Sequence, residues 1–143
     1  MRSIRVDRPA PYPPRVSAAT KPFWEALREE RLTTTRCLDC EDNTFPPKPI
    51  CPNCFSSRLT WQPLSGRGTL YSYCRVWAGP EVFREELPYT VCVVDLDEGL
   101  RLGSRFLDTV EPEVGGRVTA VFVHYTDATL FFFELEAARK NES

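Results

Sequence analysis

The chain has 143 residues, 42% hydrophobic and 27% charged, with a formal net charge of -2. Those proportions exclude a wholly disordered chain, a collagen and a coiled coil, and the length excludes a large multidomain enzyme. The near-neutral charge supplies no overall field to draw the chain to nucleic acid, and runs such as Tyr89 to Val94 are too short to span a bilayer.

The first twenty residues carry Arg2, Arg5, Asp7, Arg8 and Arg15 among four prolines, with no apolar stretch of the kind a secretory signal needs. A cytoplasmic, membrane-free protein is therefore expected, in which cysteines stay reduced or bind metal. Pro9, Pro11, Pro13 and Pro14 predict an extended arm outside the core. From Thr20 the pattern turns helical: Thr20 can cap, Pro22 suits a first turn, and Phe23, Trp24, Ala26, Leu27 and Glu30 recur at helical spacing. Arm and helix together make a first segment, 1–31, with the helix at about 20–31.

Residues 32–65 read as one small module. The β-branched run Thr33 to Arg36 leads into Cys37-Leu38-Asp39-Cys40, and the proline-broken run Phe45 to Ile50 leads into Cys51-Pro52-Asn53-Cys54. Each Cys-x-x-Cys pair can form a tight knuckle presenting two sulfurs to one side. Two facing knuckles supply four thiolates at tetrahedral geometry, the closed arrangement of structural zinc, expected at one ion per chain. Iron accepts the same donors. Redox pairs would need a thioredoxin-like βαβ context that these prolines and strands do not offer. With all four positions filled the ion has no open site for water or substrate, so it folds the module and does not catalyse.

Residues 66–137 turn to strands, leaving a short tail at 138–143. Runs at 67–77, 89–96, 100–106, 117–125 and 130–135 are rich in Val, Phe, Tyr and Leu, and Gly79-Pro80, Asp97-Glu98-Gly99, Gly115-Gly116 and Thr126-Asp127 separate them. The fold class is mainly β: an N-terminal helix, a rubredoxin-like zinc ribbon, then a five-stranded OB-fold barrel. A five-stranded open sandwich has the same strand count. Cys74 and Cys92 are expected as buried small side chains, and His124 as a packed or edge histidine. No nucleophile turn accompanies His124, so neither a Ser-His-Asp nor a Cys-His arrangement is supported, and Gly66-Arg67-Gly68 reads as a strand-entry turn. Tyr71, Tyr73 and Trp77 fall at spacing that places them on one strand face.

Charge tests the nucleic-acid reading that ribbons and OB barrels invite. The formal balance is +3 over residues 1–31, zero over 32–65 and -5 over 66–143. A groove tracking phosphates should be basic, so single-stranded nucleic-acid binding is the alternative and not the expectation.

The features occur in a recognisable order: Phe23-Trp24, Arg36-Cys37-x-x-Cys40, Phe45-Pro46-Pro47, Cys51-Pro52-x-Cys54, Ser65-Gly66-x-Gly68-Thr69-Leu70-Tyr71-Ser72, Pro88-Tyr89 and Glu98-Gly99. Over about residues 20–135 the chain resembles the zinc-ribbon plus OB-fold family catalogued as domain of unknown function thirty-five. That resemblance implies a non-catalytic accessory subunit in a hetero-oligomer with a thiolase-fold enzyme, where it scaffolds or completes an acyl-CoA site. It carries over no catalytic constellation. Glu41 stands where many relatives have glycine after the second cysteine, which alters the knuckle backbone and not its ligands. If the chain touches a CoA ester, Arg75, Trp77, Arg101 and Arg105 are the candidates, because they lie on expected strands and offer stacking or phosphate pairing. Phe23 and Trp24 are the candidates for the partner interface, with one of the two facing the chain's own core.

Overall fold

The computed structural model describes residues 1–11, 14–107 and 111–136; the 138–143 tail lies outside them. Within these, β1 (Arg2–Arg5) precedes the only α-helix, α1 (Lys21–Arg28). The small sheet of β2 (Thr33–Cys37), β3 (Asn43–Thr44) and β4 (Leu59–Pro63) follows, ordered β3-β2-β4. Then come β5 (Arg67–Val76), a 3-10 turn (Glu81–Glu86), β6 (Tyr89–Leu96), β7 (Arg101–Phe106), β8 (Arg117–His124) and β9 (Thr129–Leu135).

The last five strands close on themselves. β5, β6 and β7 form an antiparallel meander; β7 meets β9 in parallel at Phe106 and Phe133, β9 runs antiparallel to β8, and β8 returns to β5 through Arg67–Thr69. This closed five-stranded OB barrel matches the sequence runs to within about a residue at each end. The alternation is the reason: Leu70, Val94, Leu102, Phe106, Val118, Ala120, Phe122 and Phe133 point inward and are buried together. Gly68 is required at the strand entry, since a Cβ there would meet the Asp95 carbonyl oxygen at 2.4 Å.

Helix α1 plugs one end of the barrel with Phe23, Ala26 and Leu27. Thr20 does not cap it. Its hydroxyl instead lies 3.0 Å from the Ser17 hydroxyl and accepts the Ser17 N–H, a local turn that competes with the cap. The helix ends in a Schellman motif: Arg31 N–H reaches the Ala26 carbonyl, Glu30 N–H reaches Leu27, and Glu30 takes φ +61° where glycine is usual. Glu30 is held there by His124, whose Nε2 lies 3.3 Å from its carboxylate while Nδ1 meets Thr129 Oγ1 at 3.0 Å. The histidine is packed, as its position in the strand suggested.

The arm departs from expectation. Arg2–Arg5 is not an unpaired polyproline segment; it pairs in parallel with Val121–His124 of β8 and extends the sheet to a sixth strand. Ile4, Val6 and Ala10 then cover Val123, Tyr125 and Phe132 on the barrel's outer face, forming a second small core. Arg2 grips the buried Glu134 carboxylate with Nε and Nη2 at 2.7 to 3.0 Å. Sequence pattern could not reveal this, because a four-residue strand paired across more than a hundred residues leaves no local period. Deleting residues 1–11 should lower stability by about 3–5 kcal/mol, since it uncovers that apolar patch and strips Glu134 of its partner. Denaturant unfolding of the truncated chain reads this directly; an unchanged midpoint would show the arm to be incidental.

Candidate metal centre

The two knuckles are near copies of each other. Cys37 N–H donates to the Asp42 carbonyl and Glu41 N–H to the Cys37 carbonyl; Cys51 N–H donates to Ser56 and Phe55 N–H to Cys51. Each turn needs a left-handed residue just after its second cysteine, supplied by Glu41 at φ +67° and Phe55 at φ +63°. Both positions favour glycine, so each knuckle carries backbone strain of about 1–2 kcal/mol that the site must hold. Thr34 and Thr35 of β2 secure the connection: the Thr34 hydroxyl donates to the Thr44 carbonyl, and Thr35 Oγ1 accepts Lys48 N–H.

The four sulfurs of Cys37, Cys40, Cys51 and Cys54 lie within 4.8 Å of one another. Cys37 and Cys54 approach to 3.5 Å and Cys40 and Cys51 to 3.6 Å. Sulfurs around tetrahedral zinc, with Zn–S of about 2.3 Å, sit about 3.8 Å apart, so the constellation fits the ion with little adjustment. Electrostatics point the same way. The Cys40 N–H directed at Cys37 sulfur pulls that thiol down to about 6. At Cys54 the Ser56 N–H pulls down, yet the proton shared with Cys37 prevails and drives the thiol up to about 12. Four thiolates cannot crowd together without a cation, and a divalent ion removes the conflict. Cys37, Cys40, Cys51 and Cys54 are thus the residues that would hold a structural zinc, which would fasten the two turns.

The remaining candidates do not converge. Pairing puts Arg75 opposite Thr90 and Arg105 opposite Val91, on opposite faces of the β5–β7 sheet. Arg75 Nε donates to Thr90 Oγ1 at 3.3 Å. Arg101 lies over the Tyr71 ring at 3.7 Å and makes a two-point pair with Asp95, at 2.7 and 3.1 Å. Trp77, at the end of β5, is 71% exposed. Tyr71 and Tyr73 do not share a face: a bulge between Leu70 and Ser72 shifts the register, so Tyr71 lies outside while Tyr73 pairs with the inward Cys92. Cys92 is buried, and desolvation pushes its thiol to about 12, whereas Cys74 is exposed. Of the helix pair, Phe23 is the residue turned inward, edge-on to Phe45 and Phe131. Trp24 is partly buried beside it, with its indole nitrogen lacking a partner among the described residues.

Glu86 is the polar centre that sequence reasoning missed. At the end of the 3-10 turn it is buried among three donors: Arg105, Arg8 Nη2 at 3.0 Å and the Tyr125 hydroxyl at 3.0 Å. Arg105 also stacks 4.5 Å from the Tyr89 centroid and 4.8 Å from Phe132. Burial opposes ionisation of Glu86, but Arg105, Arg8 and Tyr125 outweigh it and hold the carboxyl below the usual range. In sequence it is the last of two adjacent glutamates and resembles any solvated acidic pair. OB barrels elsewhere bind oligonucleotides across their second and third strands, here β6 and β7. On that outer face Arg101 pairs with Asp95 and Arg105 with Glu86.

Comparison with known proteins agrees with this architecture. Residues 24–60 match the family described as ChsH2, rubredoxin-like zinc ribbon domain, and residues 61–123 match ChsH2, C-terminal OB-fold domain. A DUF35 domain-containing scaffold protein of Methanocaldococcus jannaschii is 34% identical over 104 residues, covering 69% of this chain and 73% of its own. The benzoylsuccinyl-CoA thiolase subunit BbsA of Thauera aromatica is 36% identical over 75 residues, 52% of this chain and 51% of that protein. Among solved structures, the Ltp2-ChsH2(DUF35) aldolase superposes with a TM-score of 0.73 at 30% identity, covering 85% of this chain and 98% of the matched one. No helix among the described residues is long and apolar enough to cross a membrane. The zinc ribbon, the closed barrel and these relatives together make the chain a member of the DUF35 family.

Proposed function

We propose that this protein is a non-catalytic accessory subunit of a hetero-oligomeric acyl-CoA enzyme, with a thiolase-fold subunit as its partner, and that it scaffolds or completes the partner's acyl-CoA site. The observation that carries the reading is a division of labour on the surface. The polar groups with chemical potential are spent internally, on the metal and on Glu86, while Tyr71, Trp77, Val82 and Val91 remain exposed. Exposed apolar and aromatic side chains of this kind mark protein contacts, and aromatics dominate the energy of such interfaces. The names borne by relatives, a scaffold protein and a thiolase subunit, support the same reading.

Direct contact with the CoA ester is part of the proposal and is assigned to Trp77, Arg75 and Arg101. Arg101 and Arg105 would first have to exchange Asp95 and Glu86 for a phosphate, and Arg105 is the less exposed of the two. Trp24, with one edge open, is retained as an interface residue; Phe23 serves the core.

The test is co-expression with a candidate thiolase-fold partner, followed by size exclusion and a thiolysis or retro-aldol assay. A complex should form, the partner should be unstable or poorly active alone, and the isolated chain should turn over no acyl-CoA. Trp77→Ala should weaken the complex at least tenfold while zinc content holds. Full activity of the partner alone, or turnover by this chain alone, would overturn the reading.

A further inference from the structure

A second polar cluster lies outside the ribbon, where three elements meet at the β8–β9 turn. Arg5 at the end of β1, Arg28 in the last turn of α1 and His124 at the end of β8 line a pocket of ≈ 460 Å³ floored by residues 125–129. Arg5 is brought there by its pairing with His124, and Arg28 by the packing of α1 on β9. Arg5 acts on the Glu30 carboxylate through its field, but among the described residues neither guanidinium is clamped by a carboxylate through a two-point contact. That sets them apart from Arg2, Arg8, Arg101, Arg105 and Arg117, each of which grips a carboxylate.

Carboxylates are present nearby and are engaged. Asp127 Oδ1 accepts the Ala10 N–H at 2.8 Å. Glu30 accepts from Ser3 and His124, which with Arg5 hold its carboxyl below the usual range. Glu25 lies 3.9 Å from Lys21. The two arginines are thus the cationic side of the pocket, and a planar fork of donors on each suits a tetrahedral oxyanion.

A slot of ≈ 240 Å³ opens beside this pocket and shares Arg28, Asp127, Ala128 and Thr129 with it. Its other walls are the Trp24 ring, Pro14 and Val16, which supply its apolar surface, together with Lys21 and Glu25. An apolar slot beside an anion pocket is the complement of a planar heterocycle joined to a phosphate. We infer that the pocket of Arg5, Arg28 and His124, with the slot of Trp24, Pro14 and Val16, binds a nucleoside phosphate. The inference draws on the accessory-subunit reading only for the source of that ligand: the nucleotide end of a CoA ester, or a free nucleotide.

The experiment is calorimetric titration of the full-length, zinc-loaded chain with adenosine 3′,5′-bisphosphate. Saturable binding is expected, falling at least tenfold in the Arg5→Ala, Arg28→Ala double variant, whose far-ultraviolet circular dichroism should match wild type because both side chains are exposed. Val16→Trp, at a position 57% exposed, should fill the slot and weaken the nucleotide tenfold while leaving pyrophosphate binding unchanged. No saturable binding by the wild-type chain, or binding indifferent to the double variant, would overturn the site; pyrophosphate binding as tightly as the nucleotide would overturn the slot. Adenosine 5′-diphosphate run in parallel separates the sources: preference for the 3′-phosphate assigns the site to CoA, and equal affinity assigns it to a free nucleotide. If the enzyme complex assembles but nucleotide does not bind, this inference fails and the accessory reading stands. Nucleotide binding without a complex upholds the site and removes the accessory reading.

Discussion

Replacing Cys51 with serine should cost the chain its zinc and unfold residues 32–63 while most of the barrel's β signal survives. Cys51 is 1% exposed, and its sulfur lies 3.6 Å from that of Cys40, so no fourth ligand can be recruited from solvent without opening the knuckle. Binding of structural zinc to Cys-rich modules is worth about 10–16 kcal/mol at neutral pH, more than most domains have in total stability. Without it, nothing offsets the left-handed backbone at Glu41 and Phe55. The module's own apolar burial is thin, since β2 hides three threonines and β3 has only two residues. The barrel's core, by contrast, runs through Leu70, Val94, Val118, Phe122 and Phe133, none of them in the ribbon. It loses the flanking Leu32 and Leu64 and the Phe45 ring that stands edge-on to Phe23 and Phe131, so its melting temperature should drop even as it stays folded. Metal analysis alongside far-ultraviolet circular dichroism checks both halves. A Cys51→Ser protein with a full equivalent of zinc, or one unfolded throughout, would contradict this expectation.

What could be read from residue order depended on the range of the interaction concerned. The knuckles are local, and Cys-x-x-Cys spacing encodes their geometry within four residues. Barrel strands announce themselves through period-two burial, and that is why 67–76, 89–96, 101–106, 117–124 and 129–135 stand close to the sequence reading. Alternation fails where one residue is added: the bulge at Tyr71 reverses parity, so Tyr71 and Tyr73 do not share the one face expected of them. Long-range polar pairs are invisible. Arg2 and Glu134 are separated by 132 residues, and Arg8 and Glu86 by 78, so nothing near either partner marks it as buried. The arm consequently read as solvent-exposed polyproline, although its alternate apolar residues Ile4 and Val6 cover the barrel. The four thiolates of the metal site were legible because their chemistry is a motif; Glu86 was not, because its chemistry is an environment.

Glu86→Ala should be the most damaging single change outside the ribbon, at about 3 kcal/mol or about 10 °C in Tm. The carboxylate joins three segments: the arm through Arg8, the meander through Arg105 and the residue that follows β8 through Tyr125. Removing it leaves Arg105 stacked on Tyr89 and Phe132 with no counter-charge in a site already shielded from water. The pH dependence has a defined sign. Because the folded pKa of Glu86 is depressed, its contribution is fully present above about pH 5, where an unfolded glutamate is ionised, and is lost as acid carries the pH through the lower folded value. Tyr125 supplies the opposite flank. Burial first, and the neighbouring Glu86 second, push its hydroxyl up to about 12, so its contribution holds below the unfolded tyrosine value of about 10 and fades as pH rises through 12. Stability of the wild-type chain measured by denaturant midpoint should therefore fall on both flanks. Glu86→Gln, which keeps shape but not charge, should flatten the acid flank and shrink the alkaline one by returning Tyr125 toward its ordinary value. A Glu86→Gln profile parallel to wild type across the whole range would mean that the carboxylate is not the group that locks the arm, the loop and the barrel together.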